Sequence, residues 1–350
     1  MNIDTLLKYA IKNNASDIHI TVASPPVLRI DGSLVNYGQR KLYPDEVKNM
    51  LEQLLDQVKL TELYEHGQVD TTYSIPAVGR FRINAFKQRG NYGMVIRVIP
   101  FKIPTIDELG LPYVVRDLVK TSRGLILVTG PAGSGKSTTL AAIINLINEE
   151  KRYHIITLED PIEYVHNHKK SIVNQREIGE DTDSFHNGLR AALRQDPDVI
   201  MIGEMRDMET MSTALMAAET GHLVMSTLHT FGAAKTINRI IDAFPPYQQQ
   251  QIRMQLSTVI EAIICQQLLP RKDGKGRVVA TEIMIATPAI RNLIREDKIH
   301  QIDTVIETGY MMGMKTMDQS LLELFNQGII SKETLLNNAV SLANVKRIVL

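Results

Sequence analysis

Gly130, Pro131, Ala132, Gly133, Ser134, Gly135, Lys136 and Ser137 have the types and spacing that hold phosphates. The pattern is Gly-x4-Gly-Lys-Ser, set between an apolar run and a helical pattern that Thr138 helps to open. Gly133 and Gly135 permit backbone conformations and a close approach that side chains would block. Loop amides and the N-terminus of the following helix then face the phosphates of ATP. Lys136 is placed to contact the β- and γ-phosphates, and the Ser137 hydroxyl to ligate Mg²⁺. A glycine-rich strand-to-helix turn with no ligand is the alternative, and the strand–loop–helix context argues against it.

Binding alone does not hydrolyse. Turnover needs a metal shell and a group that orients or deprotonates water. Residues 198–204 form an apolar strand ending in the carboxylate of Glu204, the form of a Walker B element. Many P-loop proteins have Asp at that place. A second acidic stretch, 157–163, carries Glu159, Asp160 and Glu163 around Pro161, which stops the strand. Ligands of open α/β sheets gather at the carboxyl ends of the strands, where all four acids are expected. Solvated loop acids are the alternative, weakened by the phosphate loop upstream. His222 and His229 flank one further strand. They suit hydrogen bonding to a nucleotide or a structural role, and spacing alone does not choose.

These groups need a scaffold, and the pattern predicts one. In the first hundred residues Ile3, Leu6, Leu7, Ala10 and Ile11 recur at helical spacing, and Ile18, Ile20 and Val22 alternate as on a strand. Strands at 27–30 and 33–35 flank Asp31 and Gly32, a hairpin signal. One helix is predicted from Asp45 to His66, and two strands, 79–87 and 92–99, about a turn at 88–91. The reading is a small α+β domain over 1–100, then a linker at 101–112 with Pro100 and Pro104 as punctuation. Short apolar runs at 125–128, 154–158, 198–202 and 223–225 then alternate with helical patterns, the grammar of an α/β domain covered on both faces. That domain is read over 113–350. From about Tyr247 it is mostly helical, interrupted by a hairpin across 271–277.

Bulk properties set limits. A chain of 350 residues favours two domains. Hydrophobic residues make up 44% and charged ones 22%, which argues against wholesale disorder. Lys plus Arg and Asp plus Glu are 39 each, and aromatics only 5%, so a nucleic-acid groove of cations and stacking rings is not indicated. Cys265 is the only cysteine, which excludes an internal disulfide; its apolar neighbours predict a buried thiol. There is no signal-peptide pattern and no run near the roughly 20 apolar residues of a span. The expectation is a cytoplasmic protein that reaches a membrane only through partners.

In this order the segments at 130–137, 156–163, 199–207 and 221–230 resemble the type II/type IV secretion ATPase superfamily. Residues 289–296, Ala-Ile-Arg-Asn-Leu-Ile-Arg-Glu, match a signature of its pilus-retraction branch. Glu in the Walker B is usual there. The resemblance implies a PAS-like N-terminal domain, a RecA-like ATPase domain with a C-terminal helical region, and a ring of six subunits. It implies phosphate binding by Lys136, a magnesium site at Ser137 and Glu204, and Glu163 as general base. His222 and His229 would sense nucleotide or link subunits. Arg82 and Arg97 best match N-terminal arginines that reach nucleotide, with solvent-facing strand arginines as the alternative for each. Partners implied are an inner-membrane pilus platform protein and a paralogous accessory ATPase, with no nucleic acid.

Three rivals follow. An assembly or secretion ATPase commonly has extra N-terminal sequence and a four-cysteine zinc element, which one cysteine does not provide. A nucleic-acid translocase shares the core but not the charge pattern. A nucleotide-binding scaffold would need no general base. Within 289–296, Ile290, Leu293 and Ile294 line one face of a short helix, which packing alone explains.

Overall fold

The computed structural model describes residues 2–30, 32–76, 78–99 and 102–349. The chain divides into two compact units, Met1–Lys102 with Glu163–Val165, and Ile103–Ile162 with His166–Leu350.

The first unit opens with helix α1 (Ile3–Lys12), whose Ile3, Leu6, Leu7 and Ala10 are buried. Strands β1 (Ala15–Thr21), β2 (Val27–Ile30) and β3 (Ser33–Asn36) follow. The β2–β3 hairpin pairs Ile30 with Ser33, and Gly32 takes φ 81°, as a tight turn requires. Asp31 of the predicted turn lies outside the described residues, as do Pro100 and Phe101 of the predicted linker. The single helix expected over 45–66 is two, α2 (Pro44–Leu54) and α3 (Gln57–His66). The break falls at Asp56, whose carboxylate accepts the Lys59 amide at 2.8 Å and caps α3. Strand β4 (Gln68–Ile75), which the pattern did not reveal, precedes β5 (Gly79–Gln88) and β6 (Asn91–Ile99).

These six strands form one antiparallel sheet in the order β3-β2-β1-β6-β5-β4. Its buried face carries Ile18, Ile20, Phe81, Ile83, Ala85, Met94 and Ile96, packed with the three helices. Period-2 alternation sends polar residues to the other face. There the register lines up Arg29, Asp17, Arg97, Arg82 and Thr72 in one row across five strands.

In the second unit, residues 103–112 contain no strand or helix, yet Ile106 and Leu111 are buried in its core. This stretch is therefore part of that core, and the unit boundary falls after Lys102. Helix α4 (Tyr113–Asp117) leads to β7 (Gly124–Thr129), α5 (Lys136–Glu150) and β8 (His154–Glu159). Strand β9 (Ile172–Glu177) and α6 (Phe185–Ala192) come next, then β10 (Val199–Ile202), α7 (Met208–Glu219) and β11 (Leu223–Leu228). Helices α8 (Ala233–Asp242) and α9 (Pro246–Val259) lead into the hairpin β12 (Ile260–Pro270) and β13 (Arg277–Ile285). The chain ends in α10 (Pro288–Arg295), α11 (Ile302–Thr308), α12 (Met317–Asn326), α13 (Lys332–Asn338) and α14 (Leu342–Val349).

The seven strands form a sheet in the order β13-β12-β7-β11-β10-β8-β9. All neighbours are parallel except the β12–β13 hairpin. Every residue of β7 is buried, because helices cover both faces. Leu125 and Leu127 point into one core and Ile126 and Val128 into the other. Each such side chain contributes about 1.5–3 kcal/mol by leaving water.

The largest departure from the sequence reading is β12. The pattern from about Tyr247 was expected to be mostly helical; residues 260–270 instead form a strand that pairs parallel to β7. A continuous apolar run fits either state, and the sheet decides. Cys265 sits there, fully buried, accepting a hydrogen bond from Thr129 Oγ1 at 3.0 Å. Burial pushes its thiol pKa far up, so it is a packing residue.

Candidate nucleotide site

The phosphate-binding loop leaves the carboxyl end of β7 and enters α5 at Gly135. That glycine takes φ 87° and caps the helix without a side chain. The first amides of a helix have no intrahelical acceptor, so α5 presents donors to whatever lies before it. Gly133, at φ 74°, has open space where a Cβ would project, while one on Gly130 would come within 2.3 Å of the Gln266 carbonyl. Pro131, Ala132 and Gly133 form the exposed crest, and Ser134 and Lys136 are buried beneath it. Ser137 and Thr138 occupy the first turn of α5.

Lys136 Nζ donates to the carbonyls of Gly130 at 2.9 Å and Pro131 at 3.0 Å, and reaches His229 Nδ1 at 3.5 Å. With Nδ1 accepting, the other ring nitrogen carries the proton, and His229 Nε2 lies 3.3 Å from Glu204 Oε2. Arg206 pairs with the other oxygen of Glu204. One relay, Lys136–His229–Glu204, therefore links the phosphate loop, the end of β11 and the end of β10.

Sheet polarity brings these groups together. Strands β7, β11 and β10 run parallel in register, so their carboxyl ends open on one edge. Gly203 lets the chain turn there, its amide donating to Leu158 O at 2.7 Å, and Thr227 Oγ1 donates to Gly203 O at 2.6 Å. Glu204 is thus held two residues past β10, with its side chain 13% exposed.

The acidic stretch splits. Glu159 is buried at the end of β8 and accepts from Thr157 Oγ1 at 2.6 Å and Gln175 Nε2 at 3.0 Å, which makes it a satisfied sheet residue. Asp160 is exposed just after it. Glu163 is exposed too and belongs to the segment Glu163–Val165 grouped with the first unit. Glu177, which the pattern did not single out, accepts the Ile162 amide at 3.3 Å and holds the start of that loop.

The structure does not bring His222 to this edge. It precedes β11, at the amino end of the strand that His229 follows, roughly 20 Å away at about 3.3 Å per residue. Its Nδ1 faces Ala217 O at 3.0 Å and Thr220 Oγ1 at 3.3 Å, at the end of α7. Its contacts within this chain are therefore with the end of α7 and not with the phosphate loop. Arg82 and Arg97 are on the first unit, directly opposed on β5 and β6. Arg97 Nε donates to Asp17 Oδ1 at 3.1 Å, and Arg82 Nε lies 4.0 Å from Asp70 Oδ1. Both arginines are substantially exposed.

Among the described residues no group of three or more His, Cys, Asp or Glu could hold a metal ion. Ser137 and Glu204 instead suit a divalent cation that shares its shell with phosphate oxygens and water. No helix among the described residues is long and apolar enough to cross a membrane.

A glycine-rich loop from a buried parallel strand into a helix, faced by a lysine and a Walker B carboxylate, defines a P-loop nucleotide-binding protein. The model of the type II/IV secretion system protein family matches residues 1–337, and the chain belongs to that family. It is 48% identical over 333 residues to PilT, the type IV pilus retraction ATPase of Pseudomonas aeruginosa, covering 95% of this chain and 96% of that one. PilU, a type IV pilus ATPase of the same organism, is 41% identical over 341 residues, 97% of this chain and 89% of that one. A solved structure of the pilus retraction motor PilT with bound ADP has a TM-score of 0.93 at 49% identity, covering 99% of both chains.

Proposed function

We propose that the chain is the ATP-hydrolysing motor of type IV pilus retraction, working as a homo-hexamer that removes pilin through an inner-membrane platform protein. The observation that carries the reading is the Lys136–His229–Glu204 relay at the phosphate loop. It stands in a chain alike over nearly its full length to a retraction motor. Lys136 and the amides of 133–138 bind the phosphates of ATP, and Ser137 and Glu204 hold Mg²⁺. When bound, that cation neutralises charge developing on the phosphate oxygens. His229 is placed to pass changes at the γ-phosphate to Glu204. Glu163 is the base that takes the proton of the attacking water.

Arg82 and Arg97 reach the nucleotide of a neighbouring subunit. The two arginines stand side by side on adjacent strands and are substantially exposed, a pair that suits an anionic ligand, which supports the assignment. His222 has a place at a subunit boundary rather than at the nucleotide. The paralogous accessory ATPase is a second partner, at the cytoplasmic face of the inner membrane.

A deletion strain tests the direction of work. Retraction predicts hyperpiliated cells that do not twitch, restored by the wild-type gene but not by Lys136→Ala. Bald cells would replace this reading with an assembly motor. ATPase activity steeply stimulated by DNA at low salt would replace it with a translocase.

A further inference from the structure

Gln266 is a polar residue on a strand that has no evident need of one. It sits on β12 between Cys265 and Gln267 and is 1% exposed. Its Nε2 donates to the Ser134 carbonyl, in the middle of the phosphate loop, at 2.6 Å. Its Oε1 is buried with no hydrogen-bond partner, as is Ser134 Oγ above it. Keeping a half-satisfied amide in a core is unfavourable, so the one bond it makes has to matter.

The contact is also steric. The Gln266 carbonyl would lie 2.3 Å from a Cβ on Gly130, and its Nε2 3.2 Å from one on Gly135. Leu268, two residues on, would stand 3.5 Å from the latter. Both ends of the loop therefore rest on β12, and the glycines are required on the underside by Gln266 as well as on the upper side by close approach of a ligand. The amide bond then sets the tilt of the Ser134 peptide, and with it the direction of the donors that follow in Gly135, Lys136 and Ser137.

We infer that Gln266 is a positioning residue for ATP phosphates: by donating to Ser134 O it fixes the loop in the curvature that nucleotide binding needs. This rests on the ATPase reading above. It makes no contact with substrate itself, and acts through the loop.

The test compares full-length wild type with Gln266→Leu and Gln266→Met. Leu and Met both keep apolar volume on β12, Met also the length, and neither donates a hydrogen bond. For each, KM and kcat for ATP, the Kd of a fluorescent ADP analogue and the Tm are measured. Expected is a rise of about tenfold in KM and in ADP Kd for both variants, with kcat at saturation within about threefold of wild type. Unchanged KM and Kd in either folded variant would overturn the inference. So would failure of both to fold, since that makes Gln266 a folding residue. Wild-type turnover in the same assay checks the ATPase reading separately: its absence would defeat that reading, whereas a variant-only change bears on Gln266.

Discussion

The two edges of the large sheet carry similar residue types and do different things with them. At the carboxyl edge His229 stands between the Lys136 ammonium and the Glu204 carboxylate, with its ring 55% exposed. At the amino edge His222 is turned onto a carbonyl of its own preceding helix, and its backbone carbonyl accepts the Gly124 amide at 3.0 Å. Next to Gly124, Glu261 fills the space a Cβ would take, and Arg291 of the 289–296 signature holds that carboxylate at 2.8 Å. Arg291 also donates to the carbonyls of Ser257 and Thr258 at 3.1 and 2.7 Å, closing the end of α9. One edge keeps charges open to a ligand; the other has used them to lock strands to helices. Residue type did not decide this. The direction of the strands did, because loops that leave carboxyl ends lead into helix N-termini whose first amides face a ligand, whereas the preceding helices end at the amino ends of the strands.

The comparison breaks first at Lys136. Lys136→Ala removes a cation that touches both the loop carbonyls and His229, and turnover should fall at least about a hundredfold, as when a charge-stabilising donor is lost. A steady-state ATPase assay at saturating ATP, with Tm held close to wild type, is the measurement. Retention of a tenth of the activity would put the chemistry elsewhere. A sharper version sets the histidines against each other. His229→Ala should lower kcat by about tenfold to a hundredfold with little loss of stability, since its ring is exposed. His222→Ala should leave kcat within about twofold and lower the Tm by a few degrees, through the lost bond to Ala217. Equal losses of kcat at unchanged Tm would mean that His222 works in another subunit's site.

Much of this was readable in advance, and each miss has a physical cause. The phosphate loop, the Walker B carboxylate and the apolar strands are contiguous patterns whose meaning is local. Asp56 was a local signal too, an N-cap inside what periodicity takes for one helix. Strands β4 and β9 were hidden because QVDTTYSI and IVNQRE lie at sheet edges and carry little apolar alternation. Gln266, Gln175 and Glu177 are of another kind. Gln266 lies 132 residues from the Ser134 it serves, and nothing in its neighbourhood announces that contact. The same holds for Arg291, which a helical wheel places on the polar side of α10 but the fold half-buries against α9.

That placement divides the signature run. Ile290 and Ile294 are core, and Arg291 is a bracket; Asn292, Arg295 and Glu296 are exposed. Arg291→Ala should lower stability by about 2 kcal/mol, the scale of charge-assisted bonds in a half-buried setting, read as a Tm drop of several degrees. Arg295→Ala should change the Tm by less than a degree or two, because its side chain is exposed and its contact to Asn292 is long, 3.4 Å. Should Arg295→Ala destabilise as much as Arg291→Ala, the amino edge is not the bracket described.

A third histidine gives the cleanest sign. His166 is 7% exposed, with Nδ1 buried and unpartnered, and burial, aided by nearby Lys169, pulls its pKa from 6.5 down to about 4. Its folded value is depressed, so between about pH 6.5 and about pH 4 the unfolded chain binds a proton that the folded chain refuses. Stability therefore falls as pH falls through that window, by at most about 1.4 kcal/mol per unit, and is unaffected by this group above it. His166→Phe should flatten that part of the acid limb in denaturant titrations taken at pH 7, 6 and 5. An acid limb that His166→Phe leaves unchanged would show that this buried imidazole does not contribute to it.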